Sequence, residues 1–221
     1  MGLSQWDIVK GHTGIQATYD LAALSGATAL HIARDGTLPA TNEAFGITFR
    51  PNSTFTRGLL RGRVRTQARY RPGVGTFLMA MQSTGDITGS SGACYFAGLS
   101  WGTATWLIEK VTLGLHQGDW SATNFTLLSS STSNVPATNA PFTMELSWAY
   151  DTSLFGGTSL VLRTGTQMDF SNLAVAISSI DTSSPLATSV GEGLISWPYY
   201  GLSGSPTTVF SLYDNTSIYS F

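Results

Sequence analysis

A row of arginines is the feature of this sequence that most clearly suggests a functional site. Residues 60–71 read LRGRVRTQARYR, in which basic side chains occupy every second position but one. Side chains of a β-strand point alternately to its two faces, so an extended segment puts these basic groups on one face. They are Arg61, Arg63, Arg65, Arg69 and Arg71. The positive charges on such a face repel one another unless carboxylates, an acidic partner or a phosphate-bearing ligand offset them. Two interpretations stay open: an electrostatic docking face for a partner, or a solvated strand with Asp or Glu opposite.

A second candidate site is an aromatic cluster around Pro198. Trp197, Tyr199 and Tyr200 flank this proline, which we expect to lie where a strand ends and a loop begins. Aromatic rings stack on sugars, and nearby polar groups orient the ligand. The cluster is therefore a candidate glycan-binding site, whereas the other tryptophans are more typical of a core.

Two patterns suggest catalysis, and neither is complete. Gly98–Gly102 matches G-x-S-x-G, which needs a strand–turn–helix context, but a strand-like run follows it. His116 alone among the histidines follows Ser100. Glu145 lies on a predicted strand without a same-face acid nearby, whereas a glycosidase needs two carboxylates. We predict no catalytic residues and a protein that is not an enzyme.

Metal and cofactor sites are likewise not expected. His12, His31 and His116 are isolated, with none of the spacings typical of zinc ligands. Cys94 is the single cysteine, so an intramolecular disulfide is ruled out. We predict no metal and no cofactor.

Composition favours a protein that works through contacts. Charged residues make up only 11%, against about 25% in a typical soluble domain. The basic residues are nine arginines and two lysines, and interfaces enrich Arg while depleting Lys. The net charge of -2 argues against nucleic acid as the partner. The sequence also shows neither a signal-peptide pattern nor an apolar run of membrane-spanning length, so we expect synthesis in the cytoplasm without secretion or membrane insertion.

Alternation and turn signals predict an all-β fold from Phe45 onward. The predicted strands are 46–49, 59–71, 75–83, 94–100, 105–113, 124–128, 142–150, 158–163, 173–178, 193–197, 207–213 and 216–219. Such a series is typical of a two-sheet antiparallel sandwich or a barrel. Residues 129–140 read as a polar loop.

The first part of the chain reads differently. We assign residues 1–44 to an N-terminal arm and residues 45–221 to the sandwich domain. Within the arm, Tyr19–Leu30 could form a short helix that Gly26 weakens, or the segment could be irregular with a strand at Thr28–Ala33. Such an arm suits contact with a neighbouring subunit.

The order of these elements resembles the concanavalin A-like, or laminin G-like, jelly-roll family. The resemblance covers residues 45–221 and lies in the runs RGRVRTQARYR, TFLMAMQ, ACYFAGLSW, ATWLIEKVTLG, FTMELSWAY, GTSLVLRTG and VFSLYDNTSIYSF. It implies a jelly-roll β-sandwich. The metal ligands of legume lectins have no counterpart, and the acidic catalytic strand of related glucanases is reduced to Met144–Trp148. These departures argue against lectin metal chemistry and against hydrolysis.

Jelly rolls with few charges and a Ser/Thr/Gly-rich composition also resemble structural proteins of tailed bacteriophages, such as capsid decoration, tail and baseplate components. The function predicted from this resemblance is that of a non-enzymatic virion structural protein. Its partners would be other virion proteins in a homo-oligomeric or multi-copy assembly, docked through the arginine row and the arm. The alternative is a carbohydrate-binding, lectin-like module that recognises surface glycans.

Overall fold

The structure is a computed structural model, and it describes most of the chain. The described residues are 6–9, 15–20, 29–34, 45–49, 54–66, 74–80, 83, 92–100, 103–112, 125–137, 140–189, 191–198 and 210–220. Every statement below concerns these residues. They contain no helix, so none that could cross a membrane.

The described residues form fourteen β-strands. The first seven are β1 (Trp6–Val9), β2 (Ile15–Asp20), β3 (Ala29–Arg34), β4 (Phe45–Phe49), β5 (Arg57–Thr66), β6 (Val74–Ala80) and β7 (Ala93–Ser100). The others are β8 (Thr105–Thr112), β9 (Phe125–Ser131), β10 (Phe142–Asp151), β11 (Gly157–Gly165), β12 (Ala174–Asp181), β13 (Glu192–Pro198) and β14 (Phe210–Ser220).

The strands form two seven-stranded antiparallel sheets. The front sheet has the order β12-β11-β10-β5-β14-β3-β2, and the back sheet has the order β1-β4-β13-β6-β7-β8-β9. Strands distant in sequence become neighbours, as where β14 closes beside β5. The predicted all-β, two-sheet jelly-roll sandwich is confirmed.

The core lies between the two sheets and follows from the alternation along each strand. The front sheet contributes Leu60, Val64, Phe142, Met144, Leu146, Trp148, Leu160, Leu162 and Ile177. The back sheet contributes Leu78, Ala80, Tyr95, Ala97, Leu99, Trp106 and Ile108. The rings of Trp106 and Phe142 meet edge to face across the interior, 6.1 Å apart. Burying each of these large side chains is worth about 1.5–3 kcal/mol, which is why the two-residue period fixes the pairing register.

The strand predictions from Phe45 onward are close to the observed strands, with three differences. Predicted strands 207–213 and 216–219 are one strand, β14, whose register shifts between Asp214 and Ser217. The sequence pattern predicted a break between two strands at this point. The structure instead accommodates one extra residue as a β-bulge within a single strand. The polar loop predicted at 129–140 starts later, because β9 continues to Ser131. The strand predicted at 59–71 is described as far as Thr66, as β5.

The first 44 residues, predicted to be an arm, contribute three strands to the two sheets. β1 pairs with β4 in the back sheet, and β3 pairs with β14 in the front sheet. The strand interpretation of residues 28–33 is confirmed by β3. The helical alternative over Tyr19–Leu30 is wrong at both ends, which lie in β2 and β3; residues 21–28 lie outside the described part.

A charged cluster ties the two sheets together at one side. Asp181 ends β12 and is 2% exposed. Its carboxylate accepts hydrogen bonds from the Tyr95 hydroxyl at 2.7 Å and the Lys110 ammonium at 2.9 Å, both from the back sheet. Burial by itself would raise the pKa of Asp181, but these donors and the Ser183 N–H lower it below the ordinary value. Burial likewise raises the pKa of the Tyr95 hydroxyl, which stays protonated as a donor.

We expect Asp181→Asn to lower the free energy of unfolding by about 3 kcal/mol at pH 7, because it leaves the Lys110 charge without its partner. The folded pKa of Asp181 is lower than the unfolded one, so its contribution is complete above about pH 4 and is lost as the pH falls through the folded pKa. Denaturant unfolding should therefore show the gap between wild type and variant narrowing in acid.

Asp151→Asn is the matched control, because Asp151 is a partly exposed aspartate at the end of β10 whose hydrogen bonds the asparagine amide oxygen can still accept. It should have little effect on unfolding. A gap between wild type and Asp181→Asn that stays constant from pH 7 down to about pH 2 would contradict the inter-sheet role of the carboxylate.

Candidate functional site: the arginine face of the front sheet

β5 presents arginines on the outer side of the sandwich. Leu60 and Val64 are fully buried, whereas Arg61, Arg63 and Arg65 are partly exposed and Arg57 is exposed. The alternation predicted for this strand is confirmed over the described part. We call the outward row Arg57, Arg61, Arg63 and Arg65 the arginine face. Arg69 and Arg71, predicted to extend it, lie outside the described residues.

The arginine face lies in the middle of the front sheet, not at its edge. β5 pairs with β10 on one side and β14 on the other. Glu145 is the register partner of Arg61 on β10, and Asp214 is the register partner of Arg63 on β14. The sequence thus places acidic residues on both neighbouring strands, as one of its two interpretations required.

Arg61 is surrounded by aromatic groups. Its guanidinium carbon lies 4.7 Å from the Phe170 ring centroid and 5.3 Å from that of Tyr219, within cation–π range. One of its terminal nitrogens donates to the Tyr219 hydroxyl at 3.2 Å. Tyr219 belongs to β14 and Phe170 to the β11–β12 loop, so the two rings reach Arg61 from opposite sides of β5. Among the described residues, Arg61 forms no ion pair.

The β11–β12 loop, residues 166–173, is held in shape by its own side chains. The Asn172 side chain accepts a hydrogen bond from the Gln167 N–H and donates one to the Thr166 hydroxyl, each at 3.0 Å. Asn172 packs so closely on Gly165 that a Cβ there would overlap its amide oxygen. The loop is therefore built against the end of β11 in a defined position.

Phe170 has a left-handed backbone conformation. Its φ is 64°, a region that costs an ordinary L-residue about 1–2 kcal/mol. Its N–H donates to the Gln167 carbonyl at 3.1 Å, which closes the turn. Strain of this kind persists where the surroundings impose it, and it clusters at ligand-contacting segments. Here it directs an aromatic ring onto Arg61.

Arg63 ties the same loop to the sheet. Its Nε donates to the Met168 carbonyl. The neighbouring Asp169 has its pKa lowered first by hydrogen bonds from Ser171 and then by the positive charge of Arg63. Arg63 thus supports the loop, while Arg61 and Arg65 keep more of their hydrogen-bonding capacity.

Two donor groups on the arginine face have no partner. The Nε atoms of Arg61 and Arg65 are buried and form no hydrogen bond with the described residues. An unsatisfied buried donor costs about 1–3 kcal/mol, and more when it belongs to a charged group. Both of these Nε donors are therefore unsatisfied within the described part of the face.

Glu145 is engaged by a different arginine. Its Oε1 lies 3.5 Å from Nη1 of Arg163 on β11, and this nitrogen also donates to the Ser147 hydroxyl at 3.0 Å. Glu145 is 8% exposed, so its charge is mostly removed from water and paired. This arrangement neutralises part of the outer face on the β10 side and leaves the arginines of β5 as its cationic part.

The predicted glycan site around Pro198 has its described residues on the opposite sheet. Trp197 lies in β13 of the back sheet, where its backbone pairs with Gly75, and β13 ends at Pro198. Tyr199 and Tyr200 lie outside the described residues. The described residue of this cluster, Trp197, therefore lies in a different sheet from the arginine face.

The G-x-S-x-G pattern forms no nucleophile elbow. Ser100 ends β7, and β8 begins at Thr105 and pairs antiparallel with β7. The connection is a hairpin, so the helix that a nucleophile elbow requires is replaced by a strand. Within the described ranges, no three His, Cys, Asp or Glu side chains converge as metal ligands.

Sequence reasoning missed Phe170 and Tyr219. Asp169, Ser171 and Asn172 do signal a turn, because such side chains bond to nearby backbone. No local pattern indicates that this turn folds over Arg61, because Phe170 and Arg61 are 109 residues apart in the sequence.

Comparison with known proteins shows the fold and nothing finer. No protein-family model matches the chain, and no curated protein matches it. Among solved structures, it is similar to the carbohydrate-binding module CBM66 of Bacillus subtilis, with a TM-score of 0.58, 11% identity, and coverage of 98% of this chain and 96% of that one.

Two further structures have the same fold. For the PL-14 alginate lyase of Aplysia kurodai the TM-score is 0.60 at 13% identity, covering 96% of this chain and 88% of the lyase. For the exoplasmic/lumenal domain of VIP36 in its Ca²⁺/Man3GlcNAc-bound form, the TM-score is 0.51 at 11% identity, covering 100% and 84%. The class defined is thus the concanavalin A-like jelly-roll sandwich, which these binding proteins and enzymes share.

We expect Phe170→Gly to be more stable than Phe170→Ala by about 1 kcal/mol, because both lose the ring but only glycine adopts φ 64° without strain. Denaturant unfolding of the two variants measures the difference. Alanine at least as stable as glycine would contradict the left-handed conformation.

Proposed function

We propose that this chain is a carbohydrate-binding module whose ligand lies on the arginine face of the front sheet. The observation that carries the proposal is the position of Arg61 beside the rings of Phe170 and Tyr219. Carbohydrate sites combine aromatic surfaces, which contact the C–H faces of a sugar, with a few polar groups that fix its orientation. Tyr219 is 43% exposed, so part of its ring is open to a ligand.

The neighbours of the fold support this proposal. The structures with TM-scores above 0.5 include a carbohydrate-binding module, an alginate lyase and a domain bound to Man3GlcNAc. Fold alone does not fix function, so the choice of carbohydrate depends on the aromatic and polar groups at the face.

We further propose binding without catalysis, although both binding proteins and enzymes occur among the neighbours. Glu145 is paired with Arg163, and its same-face neighbours on β10 are Thr143 and Ser147. The described part of β10 therefore supplies no second carboxylate beside Glu145 of the kind that glycoside hydrolysis uses.

The virion structural role stays a prediction. It was derived from the low charge and a resemblance at the level of fold, and none of the solved structures named above is a virion protein. Because no contact of the described residues favours that role, we propose the carbohydrate-binding function instead.

Binding of the purified chain to a glycan array, followed by affinity electrophoresis with the best ligand, tests the proposal. We expect the double variant Phe170→Ala, Tyr219→Ala to weaken binding about tenfold or more, because it removes both rings at Arg61. Leu127→Ala is the matched control, since it shortens an exposed apolar side chain on β9 of the back sheet.

Trp197→Ala distinguishes the proposed site on the arginine face from the glycan site predicted from the sequence around Pro198. If the arginine face binds the ligand, this variant should bind like wild type, provided that its thermal unfolding is unchanged. Binding lost in Trp197→Ala but kept in the double variant would assign the ligand to the other site. An array without any bound glycan would reject the proposed function altogether.

A further inference from the structure

The charge on the arginine face carries an inference about the ligand class. β5 places Arg57, Arg61, Arg63 and Arg65 on one outer face, and β11, on the far side of β10, adds Arg163. Of these five, Arg163 is paired with Glu145, and Arg63 with the loop. The pKa of Asp151 is lowered first by hydrogen bonds from Ser153 and Leu154, and to a smaller extent by the charge of Arg57. Arg61 and Arg65 are left with no carboxylate as partner within the described residues.

These two arginines lie in a row that suits a linear anion. Side chains on one face of a strand repeat every two residues, about 6.6 Å apart. Arg61 and Arg65 are therefore separated by about 13 Å along β5, with Arg63 between them. A polymer that carries a carboxylate on each unit can contact several points of this row, whereas a small anion contacts one.

Arg61 is the most preorganised of these arginines. Its guanidinium is oriented by two rings and by the Tyr219 hydroxyl, so little side-chain entropy is lost when a ligand binds. The planar guanidinium matches a carboxylate through paired hydrogen bonds. Its Nε is buried, so the contact with a ligand would be made by the terminal nitrogens of the guanidinium.

We propose that the ligand is an acidic polysaccharide whose carboxylates contact Arg61 and Arg65 while its sugar rings pack on Phe170 and Tyr219. This inference rests on the proposed function and narrows it to one substrate class. Nucleic acid is the other linear polyanion, but the whole chain has a net charge of -2 and a pI of 5.8, not the basic character typical of nucleic-acid binders.

Three probes test the ligand class: polygalacturonate, its fully methyl-esterified form, and a single-stranded DNA oligonucleotide. Esterification removes the charge and keeps the sugar backbone, so we expect it to weaken binding about tenfold or more. Binding of polygalacturonate should also weaken between about 0.05 M and 0.5 M NaCl, because salt screens the exposed part of the interaction. Isothermal titration calorimetry measures all three.

The variants separate a specific contact from general attraction. We expect Arg61→Ala to weaken polygalacturonate binding about tenfold, and Arg61→Lys to recover only part of it, because lysine keeps the charge without the planar fork. Arg57→Ala is the matched control: it removes the same charge from the same face of β5, at the far side of Arg61 from Arg65. It should weaken binding about threefold at most.

Equal losses in Arg57→Ala and Arg61→Ala would overturn the proposed contact, since a diffuse field would then account for binding. DNA bound as tightly as polygalacturonate would overturn the ligand class. Equal binding of the acid and its ester, or of neutral glycans on the array, would also overturn it while leaving the proposed carbohydrate-binding function intact. If no glycan of either kind binds, both proposals fail together.

Discussion

The alternation of β5 within the front sheet is the constraint on which the rest of this structure depends. Leu60 and Val64 are fully buried, and pairing with β10 and β14 on both sides fixes their register. A shift of one residue would turn the arginines into the core, at a cost of several kcal/mol for each buried ion. The burial of two aliphatic side chains therefore determines that the guanidinium groups face outward.

Holding several positive charges on one central strand is unfavourable by itself, and the surrounding elements offset it unevenly. Glu145 pairs with Arg163, and the β11–β12 loop engages Arg63 through the Met168 carbonyl. Arg61 is stabilised by aromatic rings instead of a carboxylate. Because a ring does not neutralise the charge, Arg61 stays available to an anion. The strained backbone of Phe170 is consistent with a loop shaped for contact with a ligand.

The two sides of the sandwich use charge in different ways. The Asp181 cluster between the sheets is buried and internally satisfied, since the carboxylate receives hydrogen bonds from Tyr95, Lys110 and Ser183. It stabilises the packing of β12 against the back sheet. The arginine face is partly exposed, and Arg61 and Arg65 have no carboxylate partner among the described residues. The first arrangement is typical of a structural ion pair, and the second is what a binding surface requires.

The sequence by itself determined most of the strands from Phe45 onward and the sidedness of β5, because alternation is a local property that burial enforces. It also excluded the nucleophile elbow at Ser100, since the residues that follow are strand-like. Only the tertiary structure decided which side chains meet Arg61. Tyr219 lies 158 residues away and Phe170 belongs to a loop two strands across the sheet. Their approach depends on strand order and on the bulge in β14, and strand order is set by the packing of the whole sandwich, not by the local pattern. For the same reason the sequence could not show that Trp197 belongs to the opposite sheet.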